Sequence, residues 1–142
     1  MDHAELASAL RSVVSDMHKR LRKQAYSGKD LSMTEAMTLS YLYRGGAMTP
    51  SELAEINKIK KQSMSDVLIR LEKEKLVRRT PSKEDGRKMM ISLTPRARHL
   101  VEKTRYERDV WLGGAMQAVL TEKELRVLEA AIPLLEKIVN VD

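Results

Sequence analysis

The 142-residue sequence predicts a mainly α fold, with four helices, one two-stranded hairpin and then two further helices. Three observations predict it. Helix start signals recur along the chain, and the apolar residues between them fall at helical spacing. Between Leu76 and Leu93 the period shortens to alternation around an Asp-Gly turn. The length fits one domain rather than two independent cores. With 42% hydrophobic and 32% charged residues, the polar excess is large, yet the helical registers argue a folded chain rather than a disordered one.

Leu6, Leu10, Val13, Met17 and Leu21 form one face of a long first helix, expected to end near Ser27-Gly28. Ser32-Met-Thr-Glu35 reads as a capping box opening a second helix, which carries Leu39 and Leu42 and is closed by Gly45-Gly46. Thr49-Pro50-Ser51-Glu52 opens a short third helix with Leu53 and Ile56, and Pro50 takes the first helical position, where its missing N–H costs nothing. A fourth helix runs from Lys60 to about Glu74, with Met64, Leu68 and Leu71 on one side. Leu76–Thr80 and Lys88–Leu93 are strand-like, and Asp85-Gly86 marks the turn between them. Thr94-Pro95 starts a fifth helix through Leu100, Val101 and Val110, which Gly113-Gly114 should loosen or break. Thr121-Glu-Lys-Glu124 caps a sixth, through Leu125, Leu128, Ile132 and Leu135, which Pro133 should bend. The first and last helices are longer and more apolar than the middle of the chain can cover.

The formal charge is +6, and its location is more telling than its size. Lys58–Lys88 holds 11 Lys/Arg against 5 Asp/Glu, while the remainder holds 15 of each and cancels. The entire net charge therefore lies in one stretch, a local field that draws a polyanion. A charge run by itself is more often a solvated face. The aromatics, Trp111, Tyr26, Tyr41, Tyr43 and Tyr106, all lie outside it. Single-stranded nucleic acid is usually bound by stacking bases on aromatic platforms, so duplex DNA is the expected polyanion.

No apolar run approaches the roughly 18 residues of a membrane span, and the acidic start Met1-Asp2-His3-Ala4-Glu5 lacks an apolar export core. With no Cys there is no disulfide or thiolate metal site, and the expected location is the cytoplasm. Neither Gly pair follows a strand as a phosphate loop would, and no nucleophile elbow is present. His3, His18 and His99 are far apart; His99 and Glu102 share a helix face, an arrangement usually solvated. No enzyme chemistry, metal or cofactor is expected.

The third and fourth helices, joined by a tight turn, make a helix-turn-helix, and the hairpin after them makes a wing. The second helix of such a pair enters the major groove. With Met64, Leu68 and Leu71 committed to the core, Lys61, Gln62, Ser63, Ser65, Asp66 and Arg70 are the candidate DNA-facing residues. Gln and Ser can hydrogen-bond base edges, and Lys and Arg can pair with phosphate or guanine. On the wing the candidates are Lys83, Asp85, Arg87 and Lys88.

The sequence resembles the MarR family of transcriptional regulators, the winged-helix proteins that include the multiple-antibiotic-resistance and SlyA types. The resemblance covers nearly the whole chain. It is strongest at Met48-Thr-Pro-Ser-Glu-Leu-Ala-Glu55, Gln62-Ser63, Leu71-Glu-Lys-Glu-Lys-Leu-Val77, Asp85-Gly-Arg87 and Ile91-Ser-Leu-Thr94. It implies a triangular homodimer built by the first, fifth and sixth helices, about 3–27 and 95–140, with a winged helix over about 32–94. It also implies that the wing arginine, here Arg87, enters the minor groove and that Asp85 holds it in place. A narrow minor groove concentrates negative potential and attracts Arg.

Two departures stand out. Lys60 occupies a position where many members carry Ser or Thr, so the recognition helix should lack a side-chain cap. Asp66 stands where a basic residue is common; a carboxylate there is expected to pair with Arg70 one turn on rather than accept from cytosine.

The resemblance favours a ligand-responsive repressor acting on a palindromic duplex. Met17, Tyr41, Trp111 and Met116 are the candidates for lining an effector cleft, although apolar residues at such spacing are more often core. Two alternatives stay open: an architectural or activating DNA binder without a small-molecule ligand, and a winged-helix protein-interaction module. The localised charge argues against the second.

Overall fold

The structure, a computed structural model, describes residues 1–24 and 30–142. The described elements are α1 (His3–Lys23), α2 (Met33–Gly45), α3 (Pro50–Asn57), α4 (Lys61–Lys73), β1 (Val77–Pro81), β2 (Met89–Leu93), α5 (Pro95–Val119) and α6 (Glu122–Val139). This is the expected order, a mainly α chain with one hairpin. They fall into two compact units. One contains α1 and the chain from Glu107 onward; the other contains the described residues from Asp30 to Tyr106.

The second unit has a hydrophobic core. Leu39 and Leu42 of α2, Leu53 of α3, Met64, Leu68 and Leu71 of α4, and Ile91 of β2 are fully or almost fully buried. Ala97 and Val101 join them, so the first turns of α5 belong to this core. The caps read from sequence form as expected. The Ser32 hydroxyl accepts from the Glu35 N–H at 3.1 Å, and that of Thr49 accepts from the Glu52 N–H at 3.1 Å. Thr94, one residue before α5, accepts from the Ala97 N–H at 3.1 Å and donates to the Lys75 carbonyl at 2.8 Å.

β1 and β2 pair antiparallel, Val77 opposite Leu93 and Pro81 opposite Met89. The strands start one residue later than expected. Leu76 is buried ahead of β1, while Pro81 closes the strand, a place that tolerates its missing N–H. Met48 adds a single bridge to Ile91, with N–H···O distances of 3.0 and 2.7 Å, which the sequence reading did not contain. One bridging residue has no period to detect.

A left-handed residue that is not glycine caps α3 and another follows the cap of α4. Lys58 has φ 55° and Lys75 has φ 60°. Around them the Ile59 N–H reaches the Ala54 carbonyl and the Leu76 N–H reaches the Leu71 carbonyl, at 3.0 and 2.9 Å. A side chain in this conformation costs roughly 1–2 kcal/mol, part of which glycine would give back in backbone entropy. Lys75→Gly should therefore raise unfolding free energy by roughly 0.5–1 kcal/mol, read as a higher urea midpoint at constant slope. A lower midpoint would show that contacts of the lysine stem outweigh the strain.

The first unit is built differently. α1 opens on a capping box that the sequence reading missed, with the Glu5 N–H donating to Asp2 Oδ1 at 2.8 Å. The Thr121–Glu124 box opens α6, where the Glu124 N–H donates to the Thr121 hydroxyl at 3.2 Å. Neither α1 nor α6 contains a buried residue. Leu6, Val13 and Val14 of α1 and Val127, Ile132, Leu134 and Ile138 of α6 are exposed. Within this unit the Arg108 Nε donates to the Leu21 carbonyl at 3.2 Å, and the Arg20 guanidinium lies 5.0 Å from the Trp111 ring centre.

Three helix boundaries bear on the expectations. α1 ends at Lys23, and the expected stop at Ser27-Gly28 falls outside the described residues. α5 is not broken at Gly113-Gly114: it runs without interruption to Val119. Two glycines cost about 1 kcal/mol each, which hydrogen bonding and good helix formers on both sides can absorb over 25 residues. α6 likewise continues through Pro133 to Val139. No described helix is long and apolar enough to cross a membrane.

Candidate nucleic-acid interface

α4 presents its polar face because its apolar residues are spent on the core. On a 3.6-residue period Gln62, Asp66 and Ile69 lie opposite Met64, Leu68 and Leu71. Lys61, Gln62, Ser63, Asp66 and Arg70 are exposed and Ser65 is half-buried, so the candidates read from sequence occupy one accessible surface and its flanks. Ile69, which was not among them, is 56% exposed on the same face. An apolar side chain there has the chemistry to meet thymine methyl groups. Its signal was an apolar residue out of register with the core stripe.

The start of α4 is as expected. Lys60 is the N-cap, and it makes no side-chain cap hydrogen bond. The expected Asp66–Arg70 pair does not form. Arg70 Nη2 instead lies 3.1 Å from Glu35 Oε1 on α2. The reason is burial. Glu35 is 3% exposed and would be costly without a partner, whereas Asp66 is solvated where it stands.

The wing tip is closed by its own backbone. The Ser82 hydroxyl accepts from the N–H groups of Glu84 and Asp85, each at 3.3 Å, and the Lys88 N–H donates to the Asp85 carbonyl at 2.9 Å. Asp85 Oδ1 accepts from the Arg87 N–H at 3.0 Å and lies 3.6 Å from Arg87 Nε. The Arg87 side chain is 96% exposed, so its guanidinium projects into solvent with its base held by Asp85. Lys83 and Lys88 are exposed beside it.

At the root of the helix-turn-helix the Glu52 carboxyl is held below the usual carboxylate range. Hydrogen bonds from Thr49 are the main cause, the backbone N–H first and the hydroxyl second; the charge of Lys88 adds to them. On β1, Arg79 pairs with Glu72. The cations of the basic stretch are thus unequal: Arg70 and Arg79 have carboxylate partners on neighbouring elements, while Arg87 lies 3.6 Å from its wing neighbour Asp85.

The four effector candidates are divided between the two units. Met17, Trp111 and Met116 belong to the first unit and Tyr41 to the second. None is fully buried, and the Arg44 guanidinium lies 5.3 Å from the Tyr41 ring centre. Among the described residues no three His, Cys, Asp or Glu side chains converge as a metal site.

A helix-turn-helix with an exposed polar second helix, followed by a basic wing with an arginine at its tip, defines a winged-helix DNA-binding protein. The sequence model of the MarR family matches residues 29–88. An uncharacterized HTH-type transcriptional regulator of Mycobacterium bovis is 31% identical over 137 residues, covering 96% of this chain and 94% of its own. A transcriptional regulator protein from Pseudomonas aeruginosa shares the fold at a TM-score of 0.86 with 31% identity, over 98% of this chain and 96% of that one. A MarR family protein from Bacillus stearothermophilus shares it at 0.85 with 20% identity, over 99% of each. The chain belongs to the MarR family, and it is a DNA-binding transcriptional regulator, not an enzyme.

Proposed function

We propose that the protein is a homodimeric, ligand-responsive repressor that reads a palindromic duplex site. Its recognition helices enter successive major grooves and its wings the flanking minor grooves. The observation that carries the reading is the pairing of an accessible Gln62–Ser65 surface on α4 with an Arg87 projected from the wing and held by Asp85. Lys61, Ser63, Lys83 and Lys88 supply phosphate and backbone contacts, and Asp66 sets local base preference. Footprinting on the promoter of the protein's own gene tests this directly. Protection of two half-sites about one helical turn apart supports it, and absence of protection there or on other promoters opposes it.

Dimerisation rests on α1 and α6, whose apolar residues stay exposed among the described residues. Light scattering at low micromolar concentration should give twice the 16.2 kDa chain mass, and a clean monomer would sink the architecture.

Base readout rests on Gln62 and Ser65. Gln62→Ala and Ser65→Ala should each lower the preference for the selected duplex over random DNA by roughly 1–3 kcal/mol. Competition binding measures this, and unchanged preference in both would place the reading surface elsewhere. An effector, on this reading, is a small molecule that lowers operator affinity. Met17, Tyr41, Trp111 and Met116 remain its proposed contacts, to be tested by quenching of the single Trp.

A further inference from the structure

We infer that Arg70 is a positioning residue rather than a DNA contact: its ion pair with buried Glu35 sets the roll of α4 about its own axis. This rests on the proposed reading of α4 as the element that reads base edges. Met64, Leu68 and Leu71 hold the helix against the core through one apolar stripe, and such contacts are non-directional. The Arg70–Glu35 pair is directional, and it lies on the flank of that stripe.

Glu35 is a firm anchor. Its N–H donates to the Ser32 hydroxyl at 3.1 Å, and its Oε1 accepts from the Ser32 N–H at 3.3 Å as well as from Arg70 at 3.1 Å. The carboxylate is 3% exposed, so Arg70 cannot leave it for a phosphate without stranding a buried charge. The guanidinium itself belongs to a side chain that is 65% exposed, which is why sequence alone makes it look available.

The lever is large. Side-chain tips sit roughly 5–6 Å from a helix axis, so a roll of about 20° displaces Gln62 by ~2 Å. Hydrogen-bond distances tolerate only about 0.5 Å. A free roll therefore blurs base readout while leaving the lysines near phosphate.

The test uses two probes: a duplex selected by the wild-type protein from a randomised pool, and a random duplex of equal length. Failure of the wild type to select any sequence would overturn the reading of α4 and this inference with it. Given a selected duplex, R70M and E35Q should each cut the selected-to-random affinity ratio about tenfold, one contact's worth of discrimination. The salt slope on random duplex should stay unchanged, and the double variant should be no worse than the worse single one. E35Q matters most, because glutamine preserves the Ser32 capping box and the fold even where R70M does not. A phosphate-binding Arg70 gives the opposite pattern. R70M would then weaken both duplexes alike and lower the slope by about two per dimer, and E35Q would tighten both. That pattern, or an unchanged ratio in well-folded E35Q, overturns the inference.

Discussion

Raising monovalent salt from about 50 to about 200 mM should weaken duplex binding by about 10³–10⁵-fold. The whole net charge of +6 lies in Lys58–Lys88, and most of its cations are exposed. If each subunit of a dimer sets three to five of these on phosphates, roughly 6–10 counterions leave the DNA and log affinity falls against log salt with a slope of about −5 to −9. Arg70 and Arg79, paired with Glu35 and Glu72, are the cations least expected to contribute. A series of binding isotherms on one random duplex gives the slope. A flat dependence would mean that the basic stretch is not the DNA face.

The second large effect belongs to the wing. Arg87→Ala should cost roughly 1.5–3 kcal/mol per wing, the range for a hydrogen bond to a charged group, or two to four orders of magnitude for a dimer. Asp85→Ala discriminates more sharply. Electrostatics alone predicts tighter binding, because a negative charge near phosphate is removed. The geometry predicts weaker binding. Oδ1 of Asp85 accepts from the Arg87 N–H at 3.0 Å and lies 3.6 Å from its Nε, and without this carboxylate a side chain that is 96% exposed must be ordered on binding. A loss of about tenfold is expected. Dimer mass and melting temperature, measured alongside, separate a damaged hairpin from a lost contact. Tighter binding by well-folded Asp85→Ala protein would leave Asp85 as a turn residue only.

Local signals carried much of the fold. Ser32–Glu35, Thr49–Glu52 and Thr121–Glu124 are satisfied within one turn of chain, so residue type and spacing suffice to recognise them. The same holds for the unsealed start of α4 at Lys60 and for the Asp85–Arg87 arrangement, whose partners are two residues apart. Of the expected loosening or break at Gly113-Gly114, the break does not occur, for a related reason. A glycine penalty is local and modest, whereas helix continuity is cooperative over the whole element.

By itself the sequence determined the order of elements, the faces they bury, the placement of charge and the family to which the chain belongs. Each of these is a matter of composition, period or near-neighbour chemistry. The tertiary structure decided which long-range partner a residue takes. Arg70 looked toward Asp66, its neighbour one helical turn away, but the pairing went to Glu35, 35 residues distant, because folding buries that carboxylate and leaves Asp66 in water. Met48 pairs with Ile91 for the same kind of reason: packing brings two backbones together that no local pattern links. Burial is a property of the assembled unit, and it changes the cost of an unpaired charge or peptide group by more than any local preference can offset.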